Sequence, residues 1–558
     1  MKINLLILLL LISALTLSSC DDADGGGIKD EINTDFELDA SEAFTDRDKN
    51  SSYTESSAVK ITLAGERIEC DSGSVSISGT QITIKADGEY IISGSLDGGR
   101  IIIDAPSAKP HLIFDGVSIN TTLAAAVYVK ECDKLVITLK DGTESVLTAS
   151  GANETDGETN IDGAIFSKQD LSFNGTGSLQ VTSSTSHAIV CKDDLVFAGG
   201  AYTLSAASHA LDANDSIRIC ESSFTVTAGK DGMHAENSDD TSLGYVYIDS
   251  GSINAVCGGD GISSGAYMQI NGGDIILKTA DSSAEDSKKG IKSVGTLLIG
   301  GGNITADTDD DAIHSNTSIV VEGGTLTLCS GDDGVHADES LYIGGGTVSI
   351  TESYEGLEAL NIEIAGGDIT IKASDDGINA AGGNDESGFG GAFGGGDGFG
   401  GRPGRPGGMG GNGGSASNGS ILISGGKIYM NAYGDGIDAN GSLTITGGEV
   451  TVCGPTSGDT SVLDYDNTAT IKGGTFIGTG AQMMAQTFSD SSQGVIALTV
   501  GSRSAGTKIT LTDSRGSVII EYTPALPYQL VVISTPDMKK GESYTITVGE
   551  DSGTFEAN

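Results

Sequence analysis

Tryptophan is absent from the 558 residues, and the other aromatics are thin: 13 Phe and 15 Tyr. No indole is available to build a broad, flat stacking platform. Tyr354, Tyr429 and Tyr433 are left as a small aromatic set. Basic residues are scarce too, 30 against 77 acids, and the net charge of −47 disfavours nucleic acid and anionic membrane surfaces as direct partners. Such a charge attracts cations and, through them, anionic polymers. It also keeps an extended secreted chain in solution.

Cysteine shows no metal-binding spacing. Beyond Cys20 there are seven, Cys70, Cys132, Cys191, Cys220, Cys257, Cys329 and Cys453, with neither CxxC nor CxH. An odd number so spread argues against zinc and against a disulfide framework, and leaves small buried hydrophobes. Long apolar runs are missing as well. The one candidate, Leu5 to Ile12, follows Lys2 and precedes Leu17-Ser18-Ser19-Cys20. It is too short for a standing transmembrane helix and reads as a secretory signal. "LSSC" resembles the lipobox of bacterial lipoproteins, whose Cys becomes lipidated. Residues 1–20 are therefore expected to be a lipoprotein signal with Cys20 the lipidation site, and 21–58 an acidic flexible tether. The implied location is a membrane, held by the lipid alone, at the cell surface or outer membrane.

Glycine, in contrast, is plentiful at 84 residues, and it recurs in register. The motif "DGVHA" at 333 has relatives at 187, 209, 231, 260, 289, 311, 355, 376 and 435, separated by 22, 22, 29, 29, 22, 22, 22, 21 and 59 residues. Between copies lie Gly pairs followed by alternating apolar positions, as in "GGNITADT", "GGTLTLCS" and "GGDITIKA". Alternation marks a strand with one buried face, and the Gly pairs mark turns. One such unit about every 22 residues predicts an all-β fold, a parallel β-helix over 59–500, with a C-terminal β cap over 501–558. The longer steps carry insertions, "NSDDTSLGYVYIDSG", "DSSAEDSKK" and a Gly-rich stretch over 382–420 expected to be disordered.

Stacked repeats place equivalent residues about 4.8 Å apart. One slot then holds Asp231, Asp260, Lys289, Asp311, Asp333, Glu355, Asp376 and Asp435; three residues later come Asp212, His234, Ser263, Lys292, His314, His336, Glu358, Asn379 and Asp438. Carboxylates that close repel unless cations intervene, and hard oxygen ligands suit calcium. The densest set, Asp307, Asp309, Asp310, Asp311, Asp332, Asp333, Asp338, Glu355, Asp375 and Asp376, is the expected Ca2+ site. The competing reading is that these acids accept backbone N–H bonds in turns. Five of the six histidines, His187, His209, His234, His314 and His336, fall in the ladder, where they would stack or bind a transition metal. Lys289 and Lys292 would compensate ladder charge or, near calcium, act as a general base.

The stretches "GEYIISGSLDGGRIIIDA", "DKLVITLKDGTESVLT", "DGAIFSKQDLSFNGTGSLQV" and "YQLVVISTPDMKKGESYTITVGE", with the repeated "GG…DGI" units, resemble a family of extracellular carbohydrate-binding β-helix proteins. That family is architecturally similar to pectate lyases and binds cellulose and acidic sugars. The resemblance implies a right-handed parallel β-helix, bound calcium and polysaccharide binding without established cleavage. At 186–212 "SHAIV" and "SHALD" replace Asp-Gly, which places calcium there in doubt. The leading expectation is a surface-anchored lipoprotein capturing acidic or cellulosic polysaccharide through calcium, without catalysis, with Tyr354, Tyr429, Tyr433, His314 and His336 as the carbohydrate-binding residues. Its alternatives are a calcium-dependent uronate lyase with Lys289 or Lys292 as base, and a structural adhesin.

Overall fold

The computed structural model describes residues 27–151, 154–279, 287–381, 418–456, 458 and 460–558. The signal, Cys20 and nearly all of the Gly-rich insertion lie outside the described residues. The described residues are almost wholly β: among them are 53 strands, one 3-10 turn and two four-residue helices. Of these strands, 47 join a single, mostly parallel sheet.

Each repeat contributes three strands, and each pairs in parallel with its equivalent in the next repeat. Ile313 pairs with Val335, Ile319 with Leu341 and Leu326 with Val348, all with the same offset. The sheet thus folds into three faces around one continuous apolar core that runs from Ile61 to Val532. Strands such as Thr325–Ser330 bury Leu326 and Leu328 and turn Thr325 outward, which is the alternation legible in "GGTLTLCS". The second Gly of each pair makes the corner; Gly324 has φ +90°, a conformation closed to other residues at low cost. The step that is one residue shorter is absorbed by a bulge between Ala337 and Ser340.

Two expectations need correction. The first insertion is shorter than anticipated, because "YVYI" within it is a core strand, Tyr245–Ile248, aligned with Met268–Ile270. The tether is, from Ile28 onward, no tether. It lies along one face and crosses the repeats in reverse order. Ile28 N–H donates to Glu363 Oε2 at 2.7 Å, Leu38 and Gln269 exchange two hydrogen bonds of 2.9 Å, and Arg218 Nη1 donates to the Ala43 carbonyl at 3.0 Å. Ile32 packs on Leu298 and Val320, Phe36 stacks on Tyr267 at 4.2 Å, and Phe44 meets Tyr247 and Cys220. At its far end Asp48, fully buried, pairs with Lys134 Nζ at 2.6 Å and accepts from Ser172 Oγ. Apolar side chains on this stretch, and two capping boxes around Asp39 and Thr45, fix it in place. This strap explains why the strands beneath it, "LVF", "YVYI", "LLI" and "IVV", are apolar at every position: both of their faces are covered.

At the C-terminal end, parallel pairing stops. Thr475–Gly480 pairs antiparallel with Tyr528–Ser534, which also pairs with Val495–Arg503. A four-stranded antiparallel sheet packs over these strands around a second small core that includes Leu511, Val531 and Ile546.

Candidate cation and glycan site

The ladder read from sequence is in register throughout. Asp212, His234, Ser263, Lys292, His314, His336, Glu358, Asn379 and Asp438 follow one another as paired residues, and Asp464 continues the row.

The Asp-Gly slot beside it has a structural logic of its own. The Oδ1 of each acid accepts the backbone N–H of its equivalent one repeat on: Asp231 from Asp260 at 2.8 Å, Asp260 from Lys289 at 2.8 Å, Asp311 from Asp333 at 3.1 Å, Asp333 from Glu355 at 3.1 Å, and Asp376 from Asp435 at 2.5 Å. The turn chemistry considered above is therefore present, and it occupies one oxygen of each carboxylate. The Gly that follows is demanded by closeness of the stack. A Cβ on Gly356 would sit 2.3 Å from the Gly377 carbonyl oxygen.

The second oxygen meets the ladder of His and Lys. Lys289 Nζ reaches Asp311 Oδ2 at 2.6 Å and Asp310 Oδ1 at 2.9 Å, Lys288 reaches Asp309 at 3.3 Å, and Lys292 faces Asp260 at 3.6 Å. Burial opposes the charge of Lys289, but Asp311 and Asp310 outweigh it and lift its pKa well above the ordinary lysine range. Much of the acid between 309 and 311 is thus already balanced by ammonium. Asp307 is elsewhere, on the outer surface of Asn303–Thr308, paired with Lys278 at 2.6 Å. His187, His209 and His234 stack ring on ring at 5.1 and 4.6 Å, and His314 meets His336 edge-on at 4.9 Å. His314 and His336 are 7% and 3% exposed, too enclosed to touch a polymer directly.

Further along, the balance fails. Asp376, Asp435 and Asp438 bring one ligand atom each within 4.8 Å of the others, and among the described residues no lysine or arginine pairs with them. Asp435 and Asp438 belong to the ladder but not to the dense sequence cluster, because the long insertion separates them from Asp376 in the chain. Burial and neighbouring carboxylates push their acids up: Asp376 to about 8 through burial and Asp435, Asp435 to about 7 through burial and Asp438, and Asp438 to about 6 through burial and Asp464. Glu355, the preceding rung, is pushed up to about 9 by burial and Asp333, while Asn379 Nδ2 donates to it at 2.9 Å. Two tyrosines stand at this end. Tyr354 is 37% exposed and Tyr433 50% exposed. The Tyr354 carbonyl accepts from Asp375 N–H at 2.9 Å, and the Asp375 carbonyl from Gly434 N–H at 2.8 Å, so the two tyrosines flank Asp375. Tyr429 is apart, on the strand Lys427–Ala432, its hydroxyl bound to Asn431 at 3.0 Å.

A family described as carbohydrate-binding domain-containing protein matches residues 78–334. A protein of that description from Acetivibrio thermocellus is 40% identical over 220 residues, 39% of this chain and 77% of the relative. The chain belongs to this family. The carbohydrate-binding domain match ends at Gly334, inside "DGVHA", so the uncompensated acid end lies just beyond it. A solved structure, the polysaccharide lyase-like protein from C. thermocellum as a gadolinium derivative, is similar at 24% identity and TM-score 0.33, covering 51% of this chain and 96% of that one.

Proposed function

We propose that this protein is a polysaccharide-binding lipoprotein, a right-handed parallel β-helix of about 22-residue coils anchored through Cys20 at the bacterial surface. It captures acidic or cellulosic glycan with Ca2+ held at the acid end of its ladder. The observation that carries this reading is the run Asp376, Asp435 and Asp438, which gathers carboxylates with no ammonium beside them among the described residues. Such a set fits a hard cation: oxygen donors only, with room for glycan carboxylate among the six to eight ligands calcium accepts. Calcium would supply the positive charge that a chain at −47 otherwise lacks for holding a polyanion. Exposed Tyr354 and Tyr433 offer ring faces for the sugars beside the ion. Of the two bases of the lyase alternative, Lys289 is disfavoured because Asp310 and Asp311 hold it protonated, which leaves Lys292.

The test is binding of oligogalacturonate and of cellulose, with Ca2+ and with EGTA, by the wild type and by D376N/D435N/D438N. Retention of uronate binding in EGTA, or by the triple variant in Ca2+, would remove the calcium bridge.

A further inference from the structure

One buried cluster in the middle of the ladder has the donors of a different cation. Asp333, His336 and Glu358 are 1%, 3% and 4% exposed, and one ligand atom of each lies within 4.8 Å of the others. His336 Nδ1 is 3.4 Å from Asp333 Oδ2 and 3.6 Å from Glu358 Oε2. Both separations exceed the roughly 2.7–3.2 Å of an N–H···O bond. Asp333 Oδ1 is committed to the Glu355 N–H, but its Oδ2 has no hydrogen-bond partner among the described residues. A carboxylate oxygen buried in that way is costly unless a cation meets it.

The spacing fits a metal. Ligand bonds of about 2.0–2.2 Å in tetrahedral array hold donors about 3.3–3.6 Å apart. On the other edge of the ring, His336 Nε2 faces Asp338 Oδ1 at 3.6 Å. A carboxylate on the far nitrogen is the usual companion of a metal-bound imidazole; it keeps the proton on Nε2 and leaves the Nδ1 lone pair toward Asp333 and Glu358. Calcium takes oxygen ligands, whereas a mixed imidazole and carboxylate set suits zinc and its neighbours.

We infer that Asp333, His336 and Glu358 bind a divalent transition metal of the zinc class, with Asp338 as the positioning residue for the imidazole. Asp333 and His336 belong to one repeat and Glu358 to the next, so the ion ties successive repeats together. The site is separate from the acid end, and it stands or falls independently of glycan binding.

The full chain, stripped with chelator, is titrated with Co2+ and then Zn2+. The expected result is one equivalent of Co2+ with a visible ligand-field band, displaced by Zn2+ and untouched by excess Ca2+. X-ray absorption on the Zn2+ form should show a single nitrogen among oxygens at about 2.0–2.2 Å. D376N/D435N/D438N keeps the band, H336N and E358Q lose it, and D338N weakens Co2+ binding about 10–100-fold. Circular dichroism checks that each variant is folded, and the wild-type absorption spectrum decides the matter if one is not. No Co2+ uptake, displacement by Ca2+, a nitrogen-free shell, or a band surviving in both H336N and E358Q overturns the assignment.

Discussion

At the scale of single residues, the repeated Asp-Gly pair performs two tasks that look like one. The carboxylate satisfies a backbone N–H in the following repeat, and the glycine lets that repeat come close enough to be reached. Gly356→Ala should therefore destabilise by about 1–3 kcal/mol, as overpacking against a fixed backbone does. Urea denaturation checks it, and an unchanged midpoint would mean that the stack yields. Lys289 has the opposite character. It is the ammonium against Asp310 and Asp311, and Lys289→Gln leaves the nearly buried Asp311 Oδ2 to the His314 ring at 2.8 Å. The expected loss is about 3–5 kcal/mol, the usual cost of removing one partner of a buried pair. Added Ca2+ should recover part of it in a thermal melt, because the vacated corner groups Asp310, Asp311 and Asp332.

At the scale of the element, the acid row is a titrating one. Asp376, Asp435 and Asp438 have folded values of about 8, 7 and 6, above the roughly 3.9 of a free aspartate. The folded chain then holds protons that the unfolded chain has lost, so stability falls as pH rises from about 4 to about 8 and levels off beyond. Ca2+ needs the ionised form, so its affinity rises across the same window and binding releases protons. Melts in EGTA should drop with pH while those in Ca2+ stay nearly level; parallel curves in the two buffers would contradict the cation site.

This row also marks how far a linear reading reaches. Strand alternation and the 22-residue step are local, periodic signals, and they carried both the parallel stacking and the register of His314, His336 and Glu358. The acid end was harder to see, since the insertion over 382–420 moves Asp435 and Asp438 far along the chain from Asp376. Density of Asp in sequence pointed to the set from Asp307 to Asp376, and at its start the ammonium groups of Lys278, Lys288 and Lys289 come in from neighbouring repeats. The strap was missed because its composition is polar and acidic, with few large apolar anchors such as Ile32, Phe36 and Phe44. Its one sequence trace was the unbroken apolar runs of the strands that it covers.

At the scale of the whole molecule, the strap crosses most of the repeats and is pinned at its end by Asp48. Asp48→Ala would leave Lys134 buried without a partner, a loss of about 3–5 kcal/mol. The variant should become sensitive to limited proteolysis between 27 and 58 before the repeats are cut, as peptide mass mapping would reveal. Cleavage starting elsewhere would mean that the strap is held by its aromatic contacts instead.

The two ends of the stack differ from its middle. Val59–Gly65 turns back into the hairpin partner Arg67–Glu69, and Thr475–Gly480 is crossed by Tyr528–Ser534 running the other way. Parallel strands stacked rung upon rung are the geometry by which amyloid fibrils recruit fresh chains, and a free terminal rung would invite them. Here a long terminal rung at each end is already spoken for by a strand of the same polypeptide, so a shape able to propagate without limit is held back from recruiting a second molecule.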